Sequence, residues 1–467
     1  MIGDPELAAL DFQRHYRLPI VHLIDPDRSF ERRFNKDGWP FLMVIDPNGE
    51  LVYQCNNLID REPSVTRLLE KMKPLRTDIR TRTLDGVTYM ATPGRGPEEA
   101  NGARPCERFS SLAAGPDGRL YLVFTSSTRG NYDVWMRVWD GTAWSEDRPV
   151  ADTDADEYDA TVVVDKAGNA WACWTSNAFQ GRYNIFVRQI MGNDANSPPL
   201  RVTDAYDDAM HGRMAVDDKG RIWITYYQWQ KMGGVSRDKE VYVRRLEGGQ
   251  LSKEVQVSPK DVPDYEDHTD PAVAAWGDGV LVCWSWDYHK PKGYTQDAES
   301  PTIFLCPVGG DLALTRPFAV SGKDIDGSPT VVTTREVVWC AWDSLVWGRE
   351  RSARHLYVRP LRADGFTGRG QRVSGPVRNL CSPYLAASAE GRLALIWCQT
   401  EDGDHWALCR ADWNPSARQW SSPKTLRSEG NPSYSSACFD RGGRLWVSYS
   451  RQTETGRQVA ADCLAEQ

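Results

Sequence analysis

Several things are missing from this sequence, and each absence closes off a class of function. The eleven cysteines include no C-x-x-C pair, so neither a dithiol redox motif nor paired-thiol zinc spacing is present. Cys173, Cys283, Cys340 and Cys398 each sit beside a tryptophan in an apolar run and read as buried free thiols acting as small hydrophobes. Cys55 and Cys106 stand apart from these runs and are left as thiols that could pair with a partner. No basic run exceeds a few residues and the formal net charge is -8, which argues against a nucleic-acid partner. No stretch approaches the roughly 20 apolar residues that a membrane helix needs. The start, "MIGDPELAALDFQRHY", lacks the basic and apolar regions of an export signal. Localisation is therefore open: exported or periplasmic if a signal lies upstream of Met1, otherwise cytoplasmic, with the unpaired cysteines favouring a reducing compartment.

What is present falls into two textures. Residues 1–75 read as a helix, an apolar strand "PIVHLID", a short helix, and a hairpin "WPFLMVIDPNGELVYQ" turning on Pro-Asn-Gly. A closing helix, "PSVTRLLEKM", follows. This order, with Trp39-Pro40 before the hairpin, resembles the C-terminal half of a thioredoxin-like domain of the membrane-anchored or exported reductase type. The resemblance implies a cis bond at Pro40. The family's first strand, C-x-x-C helix and second strand have no counterpart, so nothing supplies the low-pKa thiolate that redox catalysis needs. "PIVHLID" is left as an apolar edge. Either a longer protein begins upstream or another surface covers this remnant.

Residues 76–106 read as a linker, and residues 107–467 as a repeat. The first half of each unit is "SLAAGPDGRLYLVF", "TVVVDKAGNAWACW", "RMAVDDKGRIWITY", "AVAAWGDGVLVCW", "TVVTTREVVWCAW", "YLAASAEGRLALIW" and "SSACFDRGGRLWVSY". A third alternating strand follows each, as in "DVWMRVWDG", and in most units a short fourth, as in "RPVADT". Units of this length with four strands predict a mainly β chain folded as a seven-bladed β-propeller. The last unit ends without a fourth strand, and "RTLDGVTYM" (82–90) is expected to complete it and close the ring. Trp174, Trp284, Trp342 and Trp397 end equivalent second strands and read as packing between blades.

The "D-x-x-G-[RN]-x-W" turns resemble those of bacterial neuraminidase-type repeat propellers, found in sialidases, fucose-binding lectins and polysaccharide-active enzymes. Asp165, Asp217 and Asp440 are expected to shape these hairpins. The resemblance implies glycan binding, although the Ser-x-Asp-x-Gly-x-x-Trp box and arginine triad of sialidases are not found.

In a propeller blade the start of the first strand and the end of the second meet on one rim. The runs there are acidic: "DADEYDA" supplies Asp156, Glu157, Tyr158 and Asp159; "DAYDDAMHG" supplies Asp207, Asp208 and His211; "DYEDHTD" supplies Tyr265, Glu266, Asp267, His268 and Asp270. Asp326, Arg213 and Arg378 join them, and Trp229, Trp286 and Trp347 are placed to stack on sugar rings. "EDHTDPAV…SWDYH" looks like the histidine pair of ulvan-degrading polysaccharide lyases. That resemblance implies His268, His289 and Tyr265 as acid and base, with Arg213 or Arg378 neutralising a uronate. No cofactor and no metal site is assigned, a divalent cation at the acidic rim being the alternative. The expected function is thus a propeller that binds a glycan at the rim of blades two to five, with cleavage by a lyase or glycosidase step left open. A non-catalytic protein-interaction scaffold, or a redox protein whose C-x-x-C half lies elsewhere, are the competing readings.

Overall fold

The structure, a computed structural model, describes residues 107–464 except for short internal segments, among them 204–207, 233–235, 261–265, 289–301, 347–352 and residue 378. Before residue 107 it describes the backbone of four strands, and the chain divides into two compact units, 1–100 and 101–467. In the first unit Phe41–Ile45 pairs antiparallel with Leu51–Asn56, the hairpin expected from the Pro-Asn-Gly turn. The expected helices, "PIVHLID" and Pro40 lie outside the described residues. The strand expected at 82–90 is instead a hairpin of its own, Arg80–Leu84 against Val87–Ala91. Asp85-Gly86 separates the two strands, and Asp-Gly between alternating runs favours a two-residue hairpin connection, a signal that outweighs a single continuous strand.

The second unit is a mainly β, seven-bladed propeller. Its innermost strands are Glu107–Ala114, Glu157–Val164, Ala209–Val216, Glu266–Trp276, Ile325–Thr334, Asn379–Ala387 and Ser433–Phe439. Each opens an antiparallel sheet of four or five strands, except in blade seven, whose sheet has three. Among the described residues no helix is long and apolar enough to cross a membrane.

The core is divided among seven clusters, one between each pair of adjacent blades, the last joining Leu112, Leu122 and Phe124 of blade one to Trp446 and Val459 of blade seven. One aromatic ring per blade faces the preceding blade: Phe124, Trp174, Tyr226, Trp284, Trp342, Trp397 and Tyr449, all buried. The tryptophans read as inter-blade packing therefore belong to a complete sevenfold set, in which phenylalanine or tyrosine fills the remaining places. Several stack on the ring opposite in the third strand, as Trp174 does on Phe186 with centroids 6.0 Å apart. A ring of this size removes roughly 150–250 Å² from water, at most about 4–6 kcal/mol per blade.

Third-strand arginines tie blade to blade. Arg188, Arg244 and Arg359 donate to the Val150, Val202 and Val320 carbonyls of the preceding blade's outer strand at 2.5, 2.5 and 2.8 Å. In blade one the equivalent Arg137 reaches the Val459 carbonyl of blade seven's third strand at 3.0 Å, and Glu107 accepts the Val459 N–H at 2.8 Å. Side chains of blade one thus meet the edge strand where blade seven has no fourth strand among the described residues.

The hairpin aspartates act as expected. Asp217 accepts from Lys219 N, Arg221 N, Arg221 Nε and the Trp223 indole at 2.9, 3.0, 2.6 and 2.8 Å, and Asp440 repeats the pattern with Arg444 and Trp446. Asp165 makes the same set with Asn169 in place of the arginine. Removing Asp217 takes the acceptor from Arg221 Nε and the Trp223 indole and leaves the buried guanidinium without its countercharge, held only by the Gly310 and Asp278 carbonyls. Asp217→Ala is therefore expected to cost about 3 kcal/mol in a denaturant titration, against about 1–2 kcal/mol for Asp165→Ala, which strands no charge. Equal losses would contradict this account of the turn.

Candidate functional site in the central channel

Every innermost strand carries a β-bulge, and the bulged residue is non-glycine with left-handed backbone. Phe109, Asp159, His211, Asp270, Ser328, Ser382 and Tyr434 have φ of 52, 54, 56, 52, 49, 52 and 54°. The pairing register shifts at each of these places. A left-handed non-glycine costs on the order of 1 kcal/mol or more, so seven in register mark a constraint of the fold. The bulge turns one side chain per blade toward the channel, and three neighbouring pairs approach one another. Phe109 and Tyr434 have ring centroids 4.5 Å apart. His211 lies between two carboxylates, Nδ1 at 3.4 Å from Asp270 Oδ1 and Nε2 at 4.0 Å from Asp159 Oδ2.

Two residues after the bulge stand Ser111, Thr161, Thr330 and Ser436, whose hydroxyls bridge blades. Val162 N donates to Ser111 Oγ at 3.2 Å, Leu112 N to Ser436 Oγ at 3.1 Å, and Leu385 N to Thr330 Oγ1 at 3.4 Å. Blade three breaks the series with Arg213, which donates from Nη1 to Asp159 Oδ2 at 3.1 Å and to the Gly212 carbonyl at 2.9 Å. Blade six breaks it with Tyr384. Burial pushes the Tyr384 phenol up, partly countered by Ser436 and by the charge of Arg213, which reaches it from blade three. Gly212 is required between His211 and Arg213, because a Cβ there would stand 2.7 Å from Cys173 Sγ of blade two.

Burial alone would raise the Asp270 carboxyl. The hydrogen bond from His211 and the charges of His211, Lys239 and Arg213 outweigh it and hold Asp270 below the usual carboxylate value. The Lys239 ammonium is buried, 3.8 Å from Asp267 Oδ2 and 4.4 Å from the centre of the Trp229 ring. Asp270 and Arg213 are the open members of the group, their side chains 39% and 33% exposed, while His211 is 10% exposed behind them. Among the described residues no group of three or more histidine, cysteine, aspartate or glutamate side chains is placed to hold a metal ion.

Position relative to the bulge sorts the sequence-derived candidates. Three residues before it, Asp156, Asp208 and Asp267 accept the backbone N–H at the start of the preceding blade's third strand, from Tyr132, Tyr183 and Lys239 at 3.4, 2.8 and 3.2 Å. Asn431 does the same for Trp406 at 3.1 Å. Much of the acidic character of the rim is thus a blade-to-blade clasp. Two residues before the bulge the chain is buried: Glu157, His268 and Asp326 all point inward. Glu157 takes Thr153 Oγ1 at 2.5 Å and Ser176 Oγ at 3.2 Å, and its burial raises its carboxyl. Tyr158 packs edge-on against Tyr183 in the interior. Trp286, expected to stack on sugar, is 6% exposed and packed on His268 and Phe304. Trp229 is half-buried under Lys239.

His268 requires the firmest correction. It has no exposed surface, and its Nδ1 accepts the Trp284 indole N–H at 2.9 Å. The proton of the neutral ring then sits on Nε2, which leaves no free lone pair for a base and no route to a substrate. Asp207, Tyr265, His289, Trp347 and Arg378 lie outside the described residues, as does the side chain of Glu266. The residues missed by sequence reading are Phe109, Tyr434 and Lys239. Aligning the seven apolar runs and reading two residues upstream of each would have found the first two.

Burial pushes His268 down from 6.5 to about 3. Between those values the unfolded chain binds a proton that the folded chain refuses, so stability is full above the ordinary histidine value and falls as pH drops through the window. From pH 7 to pH 4.5 the loss from this group is roughly 2–3 kcal/mol. His268→Asn keeps an acceptor for Trp284 and removes the titrating ring. Its unfolding free energy should fall that much less than the parent's over the same pH interval, and parallel pH profiles would count against the assignment.

No protein-family model matches the chain. A 98-residue stretch is 31% identical to protein transport protein SEC13 of Candida albicans; it makes up 21% of this chain and only 32% of that protein. Among solved structures, an ulvan lyase of a polysaccharide lyase family is similar with a TM-score of 0.50, 10% identity, and coverage of 76% of this chain and 91% of that one. A protein of unknown function from Dyadobacter fermentans follows at 0.45, with 12% identity and coverage of 79% and 99%. A Hadza microbial sialidase reaches 0.41, with 13% identity and coverage of 82% and 70%. At these identities the shared property is the propeller fold.

Proposed function

We propose that this propeller binds a glycan at the mouth of its central channel, over blades two to four. The observation that carries the reading is the bulge ring, which brings Asp159, His211 and Asp270 together, with Arg213 paired to Asp159 beside them and an aromatic pair, Phe109 and Tyr434, in the same ring. Carboxylates and a guanidinium bind sugar hydroxyls, and an aromatic face suits the apolar side of a pyranose. An ulvan lyase shares the fold, which supports the reading by analogy alone. The site differs from the one expected around His268: that residue serves the interior, and His211 takes its place as the histidine at the ligand. The reading is one of binding. Cleavage by acid–base catalysis needs two groups in reach of the scissile bond, and Asp270 is the one well-exposed carboxylate of the cluster.

A glycan array followed by titration calorimetry tests this. The double variant His211→Ala, Asp270→Asn should bind the retained glycan at least about tenfold more weakly, a loss of about 1.4 kcal/mol. His268→Asn should bind it as the parent does. Failure of every glycan to be retained, or loss in His268→Asn with none in the double variant, would overturn the reading.

A further inference from the structure

The charge arrangement at the channel narrows the ligand class, an inference that rests on the glycan reading above. A site for an acidic sugar needs a cation whose charge is not already taken. Among the described residues of this cluster the open cation is Arg213, and its Nη1 is bound to Asp159 Oδ2 and the Gly212 carbonyl. Lys239, the next nearest, is buried against Asp267 and the Tyr227 and Trp229 rings, with its ammonium 5.6 and 4.4 Å from their centres. On the far side of Asp270, Arg354 is paired with Asp343 in the interior. Asp159, Asp267 and Asp270 thus face Arg213 and Lys239, which leaves one negative charge with His211 neutral and none with it protonated. Among the described residues neither state leaves a surplus positive charge to offset the desolvation of a carboxylate or sulfate. The exposed carboxylate of Asp270 would repel one directly.

We propose that the channel mouth selects uncharged, hydroxyl-rich glycans or glycans bearing a free amine, and discriminates against uronates and sulfated sugars. Asp270 is the specificity-determining residue. Its open carboxylate accepts hydroxyl or ammonium hydrogens, while Arg213, neutralised by Asp159, acts as a donor to hydroxyl oxygens. The aromatic pair of blades one and seven, Phe109 and Tyr434, supplies an apolar face in the same ring.

The full-length protein is titrated with four probes: a neutral β-linked hexan oligomer, a deacetylated amino-sugar oligomer, an oligogalacturonate and a sulfated galactan. Neutral or amino-bearing oligomers should bind at least about tenfold more tightly than the uronate and the sulfated polymer. Asp270→Asn keeps the side-chain shape and tolerates the left-handed backbone. It should weaken the amino-sugar oligomer and improve oligogalacturonate binding by about fivefold, the effect of one nearby charge in a solvated site. Preferential binding of the uronate or the sulfated polymer by the parent would overturn the class while leaving glycan binding in place. Loss of discrimination in neither direction in Asp270→Asn would remove that residue's role. Binding of none of the four, together with an empty glycan array, would overturn both readings.

Discussion

The left-handed bulge at the head of each innermost strand is the constraint on which the molecule rests. It displaces one residue from the ladder, sets an aromatic ring of the second strand against the preceding blade and, in blades one, five and seven, puts a hydroxyl two residues later in reach of the neighbouring strand's N–H. Repeated seven times, it fixes blade spacing at the inner wall, while the third-strand arginines fix it farther out. Blade seven has a three-stranded sheet and still joins blade one through Ser110, Ser448, Ser450 and Glu107. The strain of seven left-handed residues is offset by seven shared apolar clusters, so no blade is stable without its neighbours.

The same bulge separates structural from binding residues within one short run. In "DADEYDA" the first acid of the strand head clasps the neighbouring blade, Glu157 is buried, and Asp159 faces the channel. In "EDHTD" the roles fall likewise to Asp267, His268 and Asp270. Acid content at a propeller rim is therefore a poor guide to ligand chemistry, because alternate positions serve the scaffold. What remains at the channel among the described residues is nearly balanced in charge, with Arg213 and Lys239 each beside a carboxylate.

Much of the fold was legible in the sequence because it is periodic. The seven apolar runs, their Asp-x-x-Gly turns and the recurring tryptophans each correspond to a strand pair, a hairpin and an inter-blade ring. The strand at 82–90 was misread for a local reason: Asp85-Gly86 is short and hydrophobic alternation continues across it. The site was legible only in part. Acids and histidines were visible, and their convergence follows from propeller topology. His268 and Asp270, however, are two positions apart and would share a face of a regular strand; which of them turns inward depends on the bulge that falls between them. No local propensity marks the bulged position, since aspartate, histidine, serine, phenylalanine and tyrosine all occupy it.

The central claim is that the bulge ring, and no other surface of the propeller, receives the ligand. Diffraction from crystals soaked with a retained neutral oligosaccharide tests it most directly. The account predicts sugar density within hydrogen-bond distance of the Asp270 carboxylate and the Arg213 guanidinium at the channel mouth. Density confined instead to the cavity of about 390 Å³ between blades one and seven, lined by Arg137, Trp144 and Val459, would contradict it.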